Sequence, residues 1–160
     1  MRIVVKWLSI FWIFCALVKR YIRETGSNWV CDLFDPNLGN QFFIAAIADV
    51  EIVSAITRRA KNGSINITDA IAIRNQFKKD FQTEYQIIEI SEKIINSAIN
   101  IAELYALRGY DAVQLASGRE LNILCITNGL TAVNFVSADN SLNTAALNEG
   151  LIIENPNNYN

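Results

Sequence analysis

Histidine is absent from all 160 residues. Without imidazole there is no Ser-His-Asp or Cys-His triad, no histidine general acid or base, and no His-ligated zinc or iron site. Cysteine is scarce. Cys15, Cys31 and Cys125 show no paired spacing and sit in apolar surroundings, so they read as small buried hydrophobes of a reducing cytoplasm. A membrane-spanning run, which takes about 20 apolar residues, is also missing. Trp7 to Val18 (WLSIFWIFCALV), with Arg2 and Lys6 before it, mimics a signal peptide. Lys19-Arg20-Tyr21 follows where a small-residue cleavage site belongs, and Phe14 before Cys15 argues against lipoprotein processing. A buried first strand running into a helix is expected instead, in a cytoplasmic protein without a membrane anchor. Charge excess is slight: 14 Lys and Arg against 16 Asp and Glu give a net charge of −2, with no overall pull toward nucleic acid or anionic lipid.

What is present is an apolar chain, 51% hydrophobic and 19% charged, of a size that makes one domain with a substantial core. The positive residues are bunched at Lys19, Arg20 and Arg23, at Arg58, Arg59 and Lys61, and at Arg74, Lys78 and Lys79, which would give a local basic rim. Short apolar runs alternate with amphipathic stretches. Strands are expected up to Phe14, at Phe42 to Ala46, Tyr85 to Ile90, Phe135 to Ala138 and Leu151 to Ile153. A helix continues from the first strand through Tyr21-Ile22, and Ser27 is expected to cap a second over Asn28 to Phe34. The next helix carries Val50, Val53, Ile56 and Thr57 on one stripe. Thr68 or Asp69 opens a long helix to about Asp80 with Ala70, Ile73 and Phe77 inward. Ser91 opens another to Leu107; Gly109 breaks it, and Asp111 to Leu121 is again helical, followed by an apolar run at Ile123 to Ile126. Asp139 leads into a helix to Asn148. Such alternation predicts an α/β fold, a parallel sheet with helices on both faces, over residues 1–154 with an Asn-rich tail at 155–160 that frays.

Three acids stand at the edges of these elements: Glu51 early in its helix, Asp111 at a helix start, and Asp139 directly after a strand. Parallel sheets gather ligands at the carboxyl ends of their strands, and carboxylates held on rigid elements are what a hard divalent cation takes. Two of them also have a plain reading. Asp111 can be a helix N-terminal acid, and Glu51 an exposed polar position between apolar neighbours.

Taken together, Ala16-Leu-Val-Lys-Arg-Tyr, Glu51 with its helix and Arg58-Arg59, Gly109-Tyr-Asp111-Ala-Val-Gln-Leu-Ala, and Phe135-Val-Ser-Ala-Asp139 resemble the PIN-domain ribonucleases, in particular VapC-type toxins of bacterial toxin–antitoxin pairs. The likeness runs from Ala16 to about Ile153. It implies a three-layer α/β/α sandwich and a hydrolase that cleaves RNA phosphodiesters with Mg²⁺ or Mn²⁺. Glu51, Asp111 and Asp139 would hold the metal, and Ser137 would orient water or phosphate. A small VapB-like antitoxin and a homodimer are the implied partners.

The first strand departs from the family. There an apolar strand ends in Leu-Asp, followed by two small polar residues and then Ala-Leu-Val. Here the aspartate's place is taken by Ile13, with Phe14 and Cys15 after it. Isoleucine cannot ligate a cation, so activity is expected to be weak or lost. The codons for Phe11-Trp12-Ile13, TTY-TGG-ATH, read from the third base of the first as YTG-GAT, which is Leu-Asp for any codon choice. We take this as a hypothesis that Met1 to Cys15 is translated from a shifted frame. Resequencing that finds an uninterrupted frame with no Leu-Asp-encoding relative at the locus would rule it out.

Overall fold

The structure, a computed structural model, describes residues 7–160; Arg2 and Lys6 of the expected basic flank lie outside that span. Five strands form one parallel sheet: β1 (Ser9–Trp12), β2 (Gln41–Ala45), β3 (Tyr85–Ile88), β4 (Asn134–Val136) and β5 (Ile152–Glu154), in the order β3-β2-β1-β4-β5. The helices are α1 (Phe14–Leu17), α2 (Ser27–Asp32), α3 (Ala48–Lys61), α4 (Ile67–Thr83), α5 (Glu92–Tyr105), α6 (Gly109–Thr127) and α7 (Asn140–Asn148). The expected three-layer α/β/α architecture is the one observed.

β1 is the middle strand, and its composition fits that place. All four of its residues are buried. Side chains of a strand alternate between faces. Phe11 joins the core under α5, α6 and α7, stacking on Phe135 of β4 with ring centroids 5.7 Å apart. Ile10 and Trp12 join the core under α1 to α4, where Trp12 stacks on Phe34. The apolar stretch of residues 7–18 is thus divided between the central strand and a short helix, and among the described residues no helix is long and apolar enough to cross a membrane.

Several elements differ from expectation. The buried stripe of α3 is Ala48, Ile52 and Ile56, while Val50 is 69% exposed. The run Ile123 to Ile126 is not separate, because α6 continues through it to Thr127. Ser27 does not cap α2; its hydroxyl accepts the Glu24 N–H and donates to the Ile22 carbonyl, and Gly26, with φ of 84°, occupies the cap position. Gly26 also lies so close to the Pro156 carbonyl that a Cβ there would overlap it. The tail does not fray: Pro156–Asn158 forms a 3-10 turn, and Tyr159 stacks on Trp29 at 4.4 Å.

Three of the nine cations of the expected basic rim are engaged internally. Lys19 is buried against Glu24, and Arg59 pairs with Glu24 at 2.5 Å. Arg20 lies over the Phe34 ring and binds Glu84 at 2.6 Å and the Tyr85 hydroxyl at 2.7 Å. Cysteines also part from expectation: Cys125 is buried, Cys15 partly so, and Cys31 exposed.

Candidate functional site

The strand order sets the location. From β1 the chain crosses to β2 on one side, and from β3 it crosses to β4 on the other. A crevice opens outside the carboxyl ends of the two strands where the order reverses. The ends of β1 and β4 are therefore where a ligand would sit.

At the β4 end, Asp139 has extended backbone, and its Oδ1 accepts the Leu142 N–H at 3.0 Å, capping α7. Ser137 is fully buried, and its Oγ accepts the Asp139 N–H at 3.1 Å. It braces the turn from inside. Asn143 donates to the Ser137 carbonyl at 3.0 Å, leaving its own buried Oδ1 without a partner.

At the β1 end, Ile13 holds the equivalent place. Its N–H donates to the Val136 carbonyl at 3.0 Å, and its φ and ψ of −91° and 144° are those of an N-cap residue for α1. Its side chain caps nothing and is fully buried in the α5–α7 core. Cys15 links the two ends: its Sγ accepts the Ala138 N–H at 3.4 Å and lies 3.8 Å from Ser137 Oγ. Burial pushes the Cys15 thiol up from its usual pKa, and the Asp139 and Asp111 carboxylates add to the effect.

The other two acids come from the first turns of α3 and α6. Glu51 accepts a hydrogen bond from the Gln114 amide, and Gln114 is itself fully buried with its Oε1 unpartnered. Gln114 lies three residues after Asp111, on the same side of α6. Burial pushes the Glu51 carboxyl up to about 7, and the Asp111 charge pushes the same way. Asp111 is raised by burial and then by Asp139, with Arg108 opposing. Glu51 thus stands within electrostatic reach of Asp111, and Asp111 of Asp139.

Whether this crevice fits a divalent cation depends on the donors. Carboxylates raised by mutual repulsion and burial lack a counter-charge that a cation would supply. The geometry does not complete the site. Among the described residues, no three His, Cys, Asp or Glu side chains stand close enough to hold one ion. Position 13 offers a buried alkyl group where an oxygen is needed. The residues present do not build the full set of oxygen ligands that a hard cation takes.

Beside Glu51 lies a cavity of about 280 Å³, with Phe14, Ser54, Arg58, Arg108 and Tyr110 among its lining residues. Reasoning from the acids alone missed Gln114, Cys15 and this aromatic and basic wall. Gln114 and Tyr110 stand within the motif around Asp111, and the i, i+3 spacing was the available signal for Gln114.

No protein-family model and no curated protein matches the sequence. Solved structures do match the fold. FitAcB from Neisseria gonorrhoeae aligns over 93% of this chain and 98% of its own, with a TM-score of 0.64 and 10% identity. VapBC2 from Rickettsia felis, solved with a DNA fragment from the promoter, aligns over 92% and 98%, with a TM-score of 0.57 and 16% identity. A toxin–antitoxin complex from Klebsiella pneumoniae aligns over 81% and 86%, with a TM-score of 0.54 and 15% identity. The fold is PIN-like. At these identities the PIN-like architecture is shared, while the residues at the crevice must be judged by their own chemistry.

Proposed function

We propose that this chain is the toxin-side protein of a VapBC-type toxin–antitoxin pair, a Mg²⁺- or Mn²⁺-dependent endoribonuclease by descent whose cleavage is impaired at position 13. The observation that carries this is the pair of strand ends at the crevice. Both have the backbone of a helix-capping residue, Asp139 supplies a carboxylate, and Ile13 supplies none. The PIN-like fold and the electrostatic neighbourhood of Glu51 with Asp111, and of Asp111 with Asp139, support the nuclease ancestry. A small VapB-like antitoxin is the partner this reading requires, and RNA the substrate.

A second reading is favoured by the complete burial of Ile13 and the lack of a three-ligand cluster: a PIN-like binding protein that keeps its antitoxin but no longer hydrolyses RNA. One assay separates them. Labelled single-stranded RNA is incubated with the native chain, Ile13→Asp, and Ile13→Asp combined with Asp111→Asn, in Mn²⁺ and in EDTA. Ile13→Asp should cleave about a hundredfold faster than the native chain, and the added Asp111→Asn should abolish the gain. Slow Mn²⁺-dependent cleavage by the native chain supports the impaired enzyme, and none supports the binding protein. Native cleavage as fast as that of Ile13→Asp would contradict both.

A further inference from the structure

We propose that Phe14 and Tyr110 form a stacking seat for one base of a single-stranded RNA, with Arg58 and Arg108 taking an adjoining phosphate. This rests on the RNA-facing reading above and adds to it a subsite that borders the acidic residues at Glu51. The two aromatics come from different elements, the first residue of α1 and the first turn of α6, yet line one cavity beside Glu51. Tyr110 is 52% exposed, an unusual place for a large ring with no core to fill. Phe14 is partly buried and packs against both cores, so its ring is held in place. Its position is one where the resemblance calls for a small polar residue, so this wall belongs to this chain.

The charges fit the same ligand. Arg20, Arg59 and Arg119 are each committed to ion pairs, whereas Arg58 and Arg108 form no ion pair among the described residues. They are exposed cations on an otherwise slightly acidic protein, at the rim of a cavity that also carries aromatic faces. Aromatic stacking beside backbone-tracking cations is how proteins hold single-stranded nucleic acid. A volume of about 280 Å³ admits one flat ring with its phosphate and excludes a duplex. A bare anion suits the cavity less well, because the Glu51 carboxylate faces it from the same wall. A nucleotide can place its base toward that wall and its phosphate away from it.

The test is fluorescence anisotropy of a labelled mixed-sequence oligoribonucleotide in EDTA, so that hydrolysis plays no part. Tyr110→Ala should weaken binding about tenfold and Tyr110→Phe should leave it near native, as stacking of ~1–3 kcal/mol per base requires. Phe14→Leu, which keeps an apolar side chain but removes the ring, should also weaken it. Arg108→Gln should lower the slope of log affinity against log salt by about 0.7, one phosphate contact. The proposal fails if Tyr110→Ala and Phe14→Leu bind like the native chain, or if the native chain does not bind RNA in EDTA. It also fails if an acidic peptide competes with the same dependence on Tyr110. Those failures leave the Ile13→Asp cleavage result standing. Conversely, intact binding with no cleavage gain in Ile13→Asp would sink the nuclease reading and keep this subsite.

Discussion

At the end of β4 the chain turns into α7 through Asp139, whose carboxylate caps the helix and faces the crevice; at the end of β1 it turns into α1 through Ile13, whose side chain turns into the core. The two corners lie side by side, joined by the Ile13 N–H to the Val136 carbonyl and by Cys15 against Ser137. Their backbones are alike, so the difference is one of side chains. A capping aspartate serves folding and chemistry together, because one oxygen satisfies a free N–H and the other remains for a ligand. Isoleucine gives up both and gains burial, about 2–3 kcal/mol for a fully buried side chain. The β1 corner has become part of the core.

The comparison can be broken by exchanging the side chains. In EDTA, Ile13→Asp should lose about 2–4 kcal/mol in urea unfolding, since burial is lost and a carboxylate is placed in apolar surroundings, with only ~1 kcal/mol returned by the new cap. A loss below about 1 kcal/mol would mean that the corner still accommodates an acid. Gly118→Ala probes the packing behind both corners. A Cβ at Gly118 would meet the Phe135 ring at 2.9 Å and the Phe11 ring at 3.1 Å, on the two strands at once. About 1–3 kcal/mol of destabilisation is expected by calorimetry. At the β4 corner, Asp139→Ala should cost about 1 kcal/mol, and Asp139→Asn should cost little because asparagine caps as well. Equal losses in both would show that charge, and not the cap, matters there.

The weakest expected effect comes from Glu51. Its folded pKa of about 7 lies above the ordinary 4.5, so the folded state binds the extra proton. Stability should therefore be highest below about pH 4.5 from this group and fall as pH rises to about 7. Solvent screening of a half-buried carboxylate reduces the change to roughly 1 kcal/mol. Glu51→Gln should flatten that slope in thermal melts at a series of pH values, and an unchanged slope would place its origin elsewhere.

Much of the fold could be read from the sequence because parallel strands buried on both faces carry continuous apolar runs, as residues 10–12 and 135–136 do. Cap residues Ser91 and Asp139 marked their helices for the same local reason. Tertiary packing decided the rest. Ala48 allows α3 to approach the sheet, which rotates Val50 outward. The exposed Ile123, Leu124 and Ile126 read as a separate apolar run because apolar composition alone does not reveal a helix's outer face. The tail is held by contacts distant in sequence, Trp29 on Tyr159 and Gly26 on Pro156. For the site, Asp139 was legible as the residue that follows a strand and opens a helix, and Asp111 as an acid at a helix start. The burial of Ser137 was not legible, because it depends on neighbours distant in sequence. Phe14 and Cys15 were placed at the first-strand end by sequence, but the contact of Cys15 with Ser137 arises only in three dimensions.

The measurement that bears most directly on the incomplete corner is the Mn²⁺ dependence of melting temperature for the native chain and Ile13→Asp, followed side by side. At about a hundred times the dissociation constant, a bound ion adds ~2.7 kcal/mol, or about 5–10 °C for a chain of this size. Ile13→Asp should gain that stability in Mn²⁺ and lose it in EDTA, while the native chain stays unmoved. A native chain that gains as much as Ile13→Asp would show that its crevice is already complete without a carboxylate at position 13.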